Sequence, residues 1–243
     1  MCLALVGVAI ISAQDETNRG IFMASRPPRT VTKTAHHRPA TKIALGFTLI
    51  TRDSNNKAVR VPSSHAFNIG DRVRLLIESN MNGHLYIFDR EDDGELEMIF
   101  PDARIRRGDG TVEAHVPLAV PKRSNPTNAE GDWFTVTGTN TRERIYLVFS
   151  KQALQSWPNG VDLLKHPRGF QTAFADFKRV TEWDEGPTVM DAPEPDGVPV
   201  SAEEQISLNR GLKLTSDDPL PSFVKIIPDS NRVLTIEIEL KRK

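Results

Sequence analysis

The densest run of reactive side chains in the 243 residues is Asp89-Arg90-Glu91-Asp92-Asp93-Gly94-Glu95. Carboxylates at its first, third and fifth positions, followed by glycine, match the first half of a calcium loop, where hard oxygens converge around a sharp turn. On that reading Asp89, Glu91 and Asp93 are the metal candidates, and calcium is the one cofactor the chain suggests. The twelfth position, where such loops place a bidentate acid, is Phe100. The plainer reading is therefore a polar hairpin tip turned by Asp93-Gly94. Asp89, Glu91 and Asp132 also form an alternative set for a carboxylate-pair hydrolase, which needs a cleft and a fixed carboxyl separation.

Other chemistry is sparse. The six histidines are scattered: His36 and His37 in a basic stretch, His65 before a strand, His84 and His115 on expected strands, His166 before Pro167. His84 and His115 could face each other across a sheet and hold a metal, but ligand spacing is lacking and a histidine with one hydrogen bond is the commoner state. Arg107-Gly108-Asp109 spells an adhesion tripeptide whose glycine already suits a turn. Trp133, Trp157, Trp183, Tyr86 and Tyr146 could stack on sugars, although Trp133 and Tyr146 lie in strands, where core packing is usual. The sequence contains no Gly-rich phosphate loop, nucleophile elbow or His-Glu-x-x-His zinc motif.

The elements that must position these groups read as strands. Ile43, Leu45, Phe47 and Leu49 alternate with other residues, as do Val73, Leu75 and Ile77, the pattern of strands with one buried face. Asn82-Gly83 before His84–Phe88 is a hairpin signal, because both central turn residues would take positive φ. Leu96–Phe100 ends at Pro101-Asp102, Asp109-Gly110 precedes an alternating run over 111–116, and 133–137 and 145–149 complete a series of seven. Leu234, Ile236, Ile238 and Leu240 share one face of a last strand. Short strands with Gly-containing turns predict an all-β fold: an antiparallel β-sandwich or partly open barrel with one or two short peripheral helices. One helix is expected where Phe170, Ala173, Phe174, Phe177 and Val180 fall at helical spacing. Another is expected to follow the capping box Ser201-Ala202-Glu203-Glu204.

Around this core the chain divides further. Residues 1–13 are uncharged and apolar, too short to span a bilayer, and fit a secretory signal ending at Ile11-Ser12-Ala13, although no basic residue precedes them. Its removal would take Cys2, the single cysteine, and with it any disulfide, thiolate nucleophile or cysteine zinc site. Residues 14–41 read as a basic, Pro-containing, disordered leader, 42–156 as the sandwich core, 157–231 as an insertion, and 232–243 as a strand pairing back into the core. Within the insertion, residues 180–209 hold eight acids and no Lys or Arg, with four prolines. The balance of 31 basic against 32 acidic residues excludes a strongly basic nucleic-acid binder. A hydrophobic share of 38% fits one compact domain carrying irregular segments.

An ordered set of stretches adds a resemblance. Phe67-Asn68-Ile69-Gly70-Asp71-Arg72-Val73-Arg74-Leu75 looks like a Gly-Asp turn into a strand. Asn82–Phe88 is similar to a Gly-Tyr-Leu-Tyr-Val hairpin, with His84 where an aromatic is usual. Met98-Ile99-Phe100-Pro101-Asp102 is similar to a Leu-Phe-Pro-Asn stop, and Glu143–Ser150 to a closing Glu-hydrophobic-Ser strand. Together they resemble the bacterial domain-of-unknown-function family 4384 over about 67–154. The resemblance implies an all-β domain, often in exported proteins, without established catalytic residues, and it carries nothing over to the extension after 154. The function expected is thus a non-catalytic, exported β-sandwich module of the bacterial cell envelope, periplasmic or extracellular. It would bind a protein or glycan partner, with no nucleic acid and no integral span after signal cleavage. A carboxylate-pair hydrolase on envelope glycans and a calcium-stabilised scaffold are the alternatives.

Overall fold

The computed structural model describes residues 18–29, 42–92, 96–101, 110–121, 133–137, 142–154, 197–201, 212–228 and 233–243. In chain order its elements are α1 (Asn18–Ser25), β1 (Ile43–Arg52), β2 (Ala58–Val61), β3 (Ala66–Phe67), β4 (Arg72–Ser79), β5 (Gly83–Glu91), β6 (Leu96–Phe100), β7 (Thr111–Val112), β8 (Leu118–Val120), β9 (Phe134–Thr135), β10 (Glu143–Ser150), β11 (Val198–Pro199), β12 (Phe223–Ile227) and β13 (Leu234–Arg242). Two sheets result. The first runs β11-β2-β1-β4-β8, with β12 also on β1 and β9 also on β4; the second runs β3-β13-β10-β5-β6, with β7 also on β5. All described pairings are antiparallel except β13 with β3. The fold is an all-β sandwich, and neither sheet closes into a barrel.

Alternation decides what goes inside. Ile43, Leu45, Phe47 and Leu49 of β1 and Val73, Leu75 and Ile77 of β4 point to one side of the first sheet. They meet Leu85 and Ile87 of β5, Ile145, Leu147 and Phe149 of β10, and Leu234, Ile236, Ile238 and Leu240 of β13 in one continuous core. Each such side chain contributes about 1.5–3 kcal/mol by leaving water. The pairing of β13 with β10, seven residue pairs from Glu143↔Leu240 to Phe149↔Leu234, sets this last strand inside the second sheet, between β10 and β3.

Asn82-Gly83 does not turn a hairpin. β4 belongs to the first sheet and β5 to the second, so the chain crosses between layers here. Gly83 is also absent from the positive-φ residues, which among the described glycines are Gly70, Gly110 and Gly197. The glycine is required by proximity instead: a Cβ there would lie 2.5 Å from Phe149 Cζ and 2.6 Å from the Ser150 carbonyl oxygen. The run expected over 111–116 is likewise cut to two residues, because the chain turns at 114–115 with His115 at φ 60°.

Two stretches read as lying outside the core are built into it. Within the expected disordered leader, residues 18–25 form α1, and Phe22 is fully buried against Ala44 and Val224 on the outer face of the first sheet. Arg26 follows it into that face. Its Nε and Nη2 donate to Glu78 Oε1 and Oε2 at 2.9 and 2.6 Å, and His115 Nδ1 lies 2.8 Å from the same Oε1. Arg26, Glu78 and His115 are all buried. Within the expected insertion, β12 pairs with β1 over Ile43↔Ile227 to Phe47↔Phe223, and β11 pairs with β2. The segment before β12 crosses the outer face, where Gly46 lets Pro221 approach: a Cβ at 46 would sit 2.5 Å from Pro221 Cγ. Residues 1–17, 30–41 and 155–196, with the signal-like segment and the helix expected near Phe170–Val180, lie outside the described residues. So do residues 202–211, which follow Ser201 of the capping box. Among the described residues no helix is long and apolar enough to cross a membrane.

Candidate functional site

The apolar alternation of the second sheet runs out into carboxylates at one end. On β5, Leu85 and Ile87 face the core, and two residues further on Asp89 and then Glu91 continue the same face. On β10, Glu143 stands two residues before Ile145 on the corresponding face; on β13, Arg242 stands two beyond Leu240. Register brings these together. Asp89 is opposite Ile145 on one side and Glu97 of β6 on the other, while Glu143 is opposite Glu91 on one side and Leu240 on the other. Asp89 and Glu143 are therefore diagonal neighbours, a relation that places side-chain origins roughly 7 Å apart. The mouth of the sandwich thus carries four carboxyl groups and one guanidinium.

Partial burial against Ile87, Ile145 and Leu240 sets the electrostatics. Loss of water pushes the Asp89 carboxyl up to about 6, helped by the charges of Glu91 and Glu97 and opposed by the backbone N–H of Arg90. Glu143 is pushed up to about 7, first by burial and then by the charge of Asp89, with Arg242 acting in the opposite direction. Asp89 Oδ1 and the Arg242 Nε and Nη2 atoms are buried without a hydrogen-bond partner. Each of the two carboxyls is costly to ionise here, and a cation placed beside them would favour their ionised forms. Among the described residues no three metal-ligating side chains gather tightly enough to hold an ion.

Of the sequence candidates, Asp89 is half-buried at this mouth and Glu91 is exposed beside it, whereas Asp93 and Asp132 lie outside the described residues. Glu143 and Arg242 were not singled out from sequence. The signal was available in the inward parity of Glu143 relative to Ile145, but its neighbours depend on register. His84 and His115 do not face each other across one sheet. His84 is on β5 of the second sheet, and His115 is held edge-on by Phe22 and bonded to Glu78 on the outer face of the first. Trp133 is covered by Arg52 and Arg74, 4.6 and 5.7 Å from its ring, so its face is engaged by guanidinium groups. Tyr86 accepts the N–H of Leu154 on its hydroxyl. Arg107–Asp109, Trp157 and Trp183 lie outside the described residues.

No curated protein and no solved structure matches the chain. The stretch from β3 through β10 holds Asp89, Glu91, Glu97 and Glu143 but not β1, β2, β12 or β13, and it is this stretch, residues 66–153, that matches the family model of a domain of unknown function (DUF4384).

Proposed function

We propose that the protein is a non-catalytic, exported β-sandwich module of the bacterial cell envelope, and that its acid-bearing mouth binds a cationic segment of a protein partner. The observation that carries this reading is the Asp89–Glu143 pair, held at about 6 and 7 by burial and by like charge. Such carboxylates are costly to ionise alone, and an arriving Lys or Arg relieves that cost, so affinity and proton release are coupled. The apolar segment 1–13 supports export. The test is calorimetric titration with an oligolysine peptide at pH 6.5 in two buffers of different ionisation enthalpy. Binding with net proton release, weakened by Asp89→Asn/Glu143→Gln, is the expected result. Equal binding by wild type and double variant would overturn the assignment.

The raised Glu143 beside Asp89 also favours a second reading, a carboxylate-pair hydrolase acting on envelope glycans, because paired acids with separated ionisation are an acid–base arrangement. Turnover of a glycan panel that is abolished by Glu143→Gln would replace the binding reading with this one.

A further inference from the structure

We propose that the seat of α1 on the outer face of the first sheet is a helix-binding socket for an aromatic residue and an arginine four positions apart, and that it accepts α1 of a second copy as well as its own. The socket is specific in both halves. Phe22 fills an apolar slot formed by Ala44, Val224, Leu220 and Ile226. Arg26, one turn on and 5.9 Å from the Phe22 ring, enters a site that matches all five of its N–H donors. Glu78 takes two, at 2.9 and 2.6 Å; the carbonyls of Thr215 and Asp218 take the two on Nη1 at 3.3 and 2.7 Å; the carbonyl of Pro219 takes the last at 3.0 Å. The Glu78 carboxylate is itself oriented by His115. This is recognition in a groove of a helix by an aromatic residue on its face and an arginine just past its last residue.

Every group lining the socket comes from residue 44 onward, so none depends on which chain supplies the helix. An eight-residue helix is too short to persist alone, and α1 is thus held by its socket rather than by its own hydrogen bonds. Arg29 and Lys42 are thirteen residues apart in sequence, a reach of roughly 45 Å when extended. In cis, by contrast, Phe22 packs directly on Ala44. A connection of that length reaches far enough for the same contacts to form within one chain or between two, the condition for element exchange.

The test uses two full-length single-cysteine chains, both with Cys2→Ser. One carries Met23→Cys on the helix and the other Ser216→Cys across the adjoining groove, since both positions line it. The chains are mixed at rising concentration and treated with a short bis-maleimide, and one is tagged so that heterodimers are identified by mass. A cross-linked heterodimer that increases with concentration is expected. Arg26→Ala in the Met23→Cys chain should abolish it; Arg26→Ala in the Ser216→Cys chain, which empties that chain's own socket, should increase it. No heterodimer at any concentration, or a yield that responds equally to Arg26→Ala in either chain, would overturn the proposal.

Discussion

Glu143→Gln should stabilise the protein, and only above the ordinary carboxylate range of pH. A carboxyl held at about 7 in the folded state, against about 4.5 ordinarily, keeps its proton more tightly when folded than when unfolded. The folded state is therefore favoured by this group at low pH and loses that advantage as pH rises through about 7. At 1.36 kcal/mol per pH unit the full difference would be about 3 kcal/mol. The carboxyl lies at a rim partly open to water, so screening reduces this to about 1–2 kcal/mol. Glutamine keeps the shape and carries no charge at any pH. Urea unfolding at pH 8 should show the variant more stable by about 1–2 kcal/mol, a rise in melting temperature of roughly 2–8 °C for a chain of this size. At pH 4 the two proteins should agree, because Glu143 is then protonated in both folded and unfolded wild type. Equal destabilisation at both pH values would refute the reasoning, since it would show that Glu143 is held by native hydrogen bonds and not opposed by burial and by Asp89. A gain in stability accompanied by loss of oligolysine binding would mark this mouth as a site kept for function at the expense of the fold.

Two further substitutions test the frame that holds the site. Arg26→Met leaves the Glu78 carboxylate buried without its guanidinium partner, and should destabilise by about 3–5 kcal/mol in urea unfolding. Arg26→Met/Glu78→Met should recover part of that loss; a double variant at least as unstable as the sum of the singles would argue against the buried network. Gly83→Ala places a methyl group on the Phe149 ring and should cost about 1–3 kcal/mol by overpacking. A change within about 0.5 kcal/mol would show that the crossing between sheets has room to spare.

The main strands were legible because alternation is a local property. β1, β4, β5, β10 and β13 each carry an apolar residue at every second position over much of their length, and any sheet that buries one face must sort them in that way. β12 was not legible: Phe223–Ile227 is five residues between prolines, with Lys225 at a core-facing position, and only its pairing with β1 makes it a strand. The helix α1 escaped for a related reason. Its eight residues have weak amphipathic character, and the energy that orders them comes from Glu78, Ala44 and Val224, none of which is near in sequence. Asn82-Gly83 misled because glycine serves two needs, positive φ and close approach, and the local pattern does not separate them.

At the candidate site, the carboxylate run from Asp89 was evident in the sequence as a cluster of hard oxygens, and Asp89 does lie at the mouth of the fold. Its chemical partner was not evident. Glu143 is fifty-four residues away, and it becomes a neighbour only through the β5–β10 register. The sequence by itself determined the strand faces and the inward parity of Asp89 and Glu143, since side-chain alternation follows from backbone geometry alone. Tertiary structure decided which strands are adjacent and how far each carboxyl is withdrawn from water, because pairing, charge proximity and desolvation act through space between residues distant along the chain.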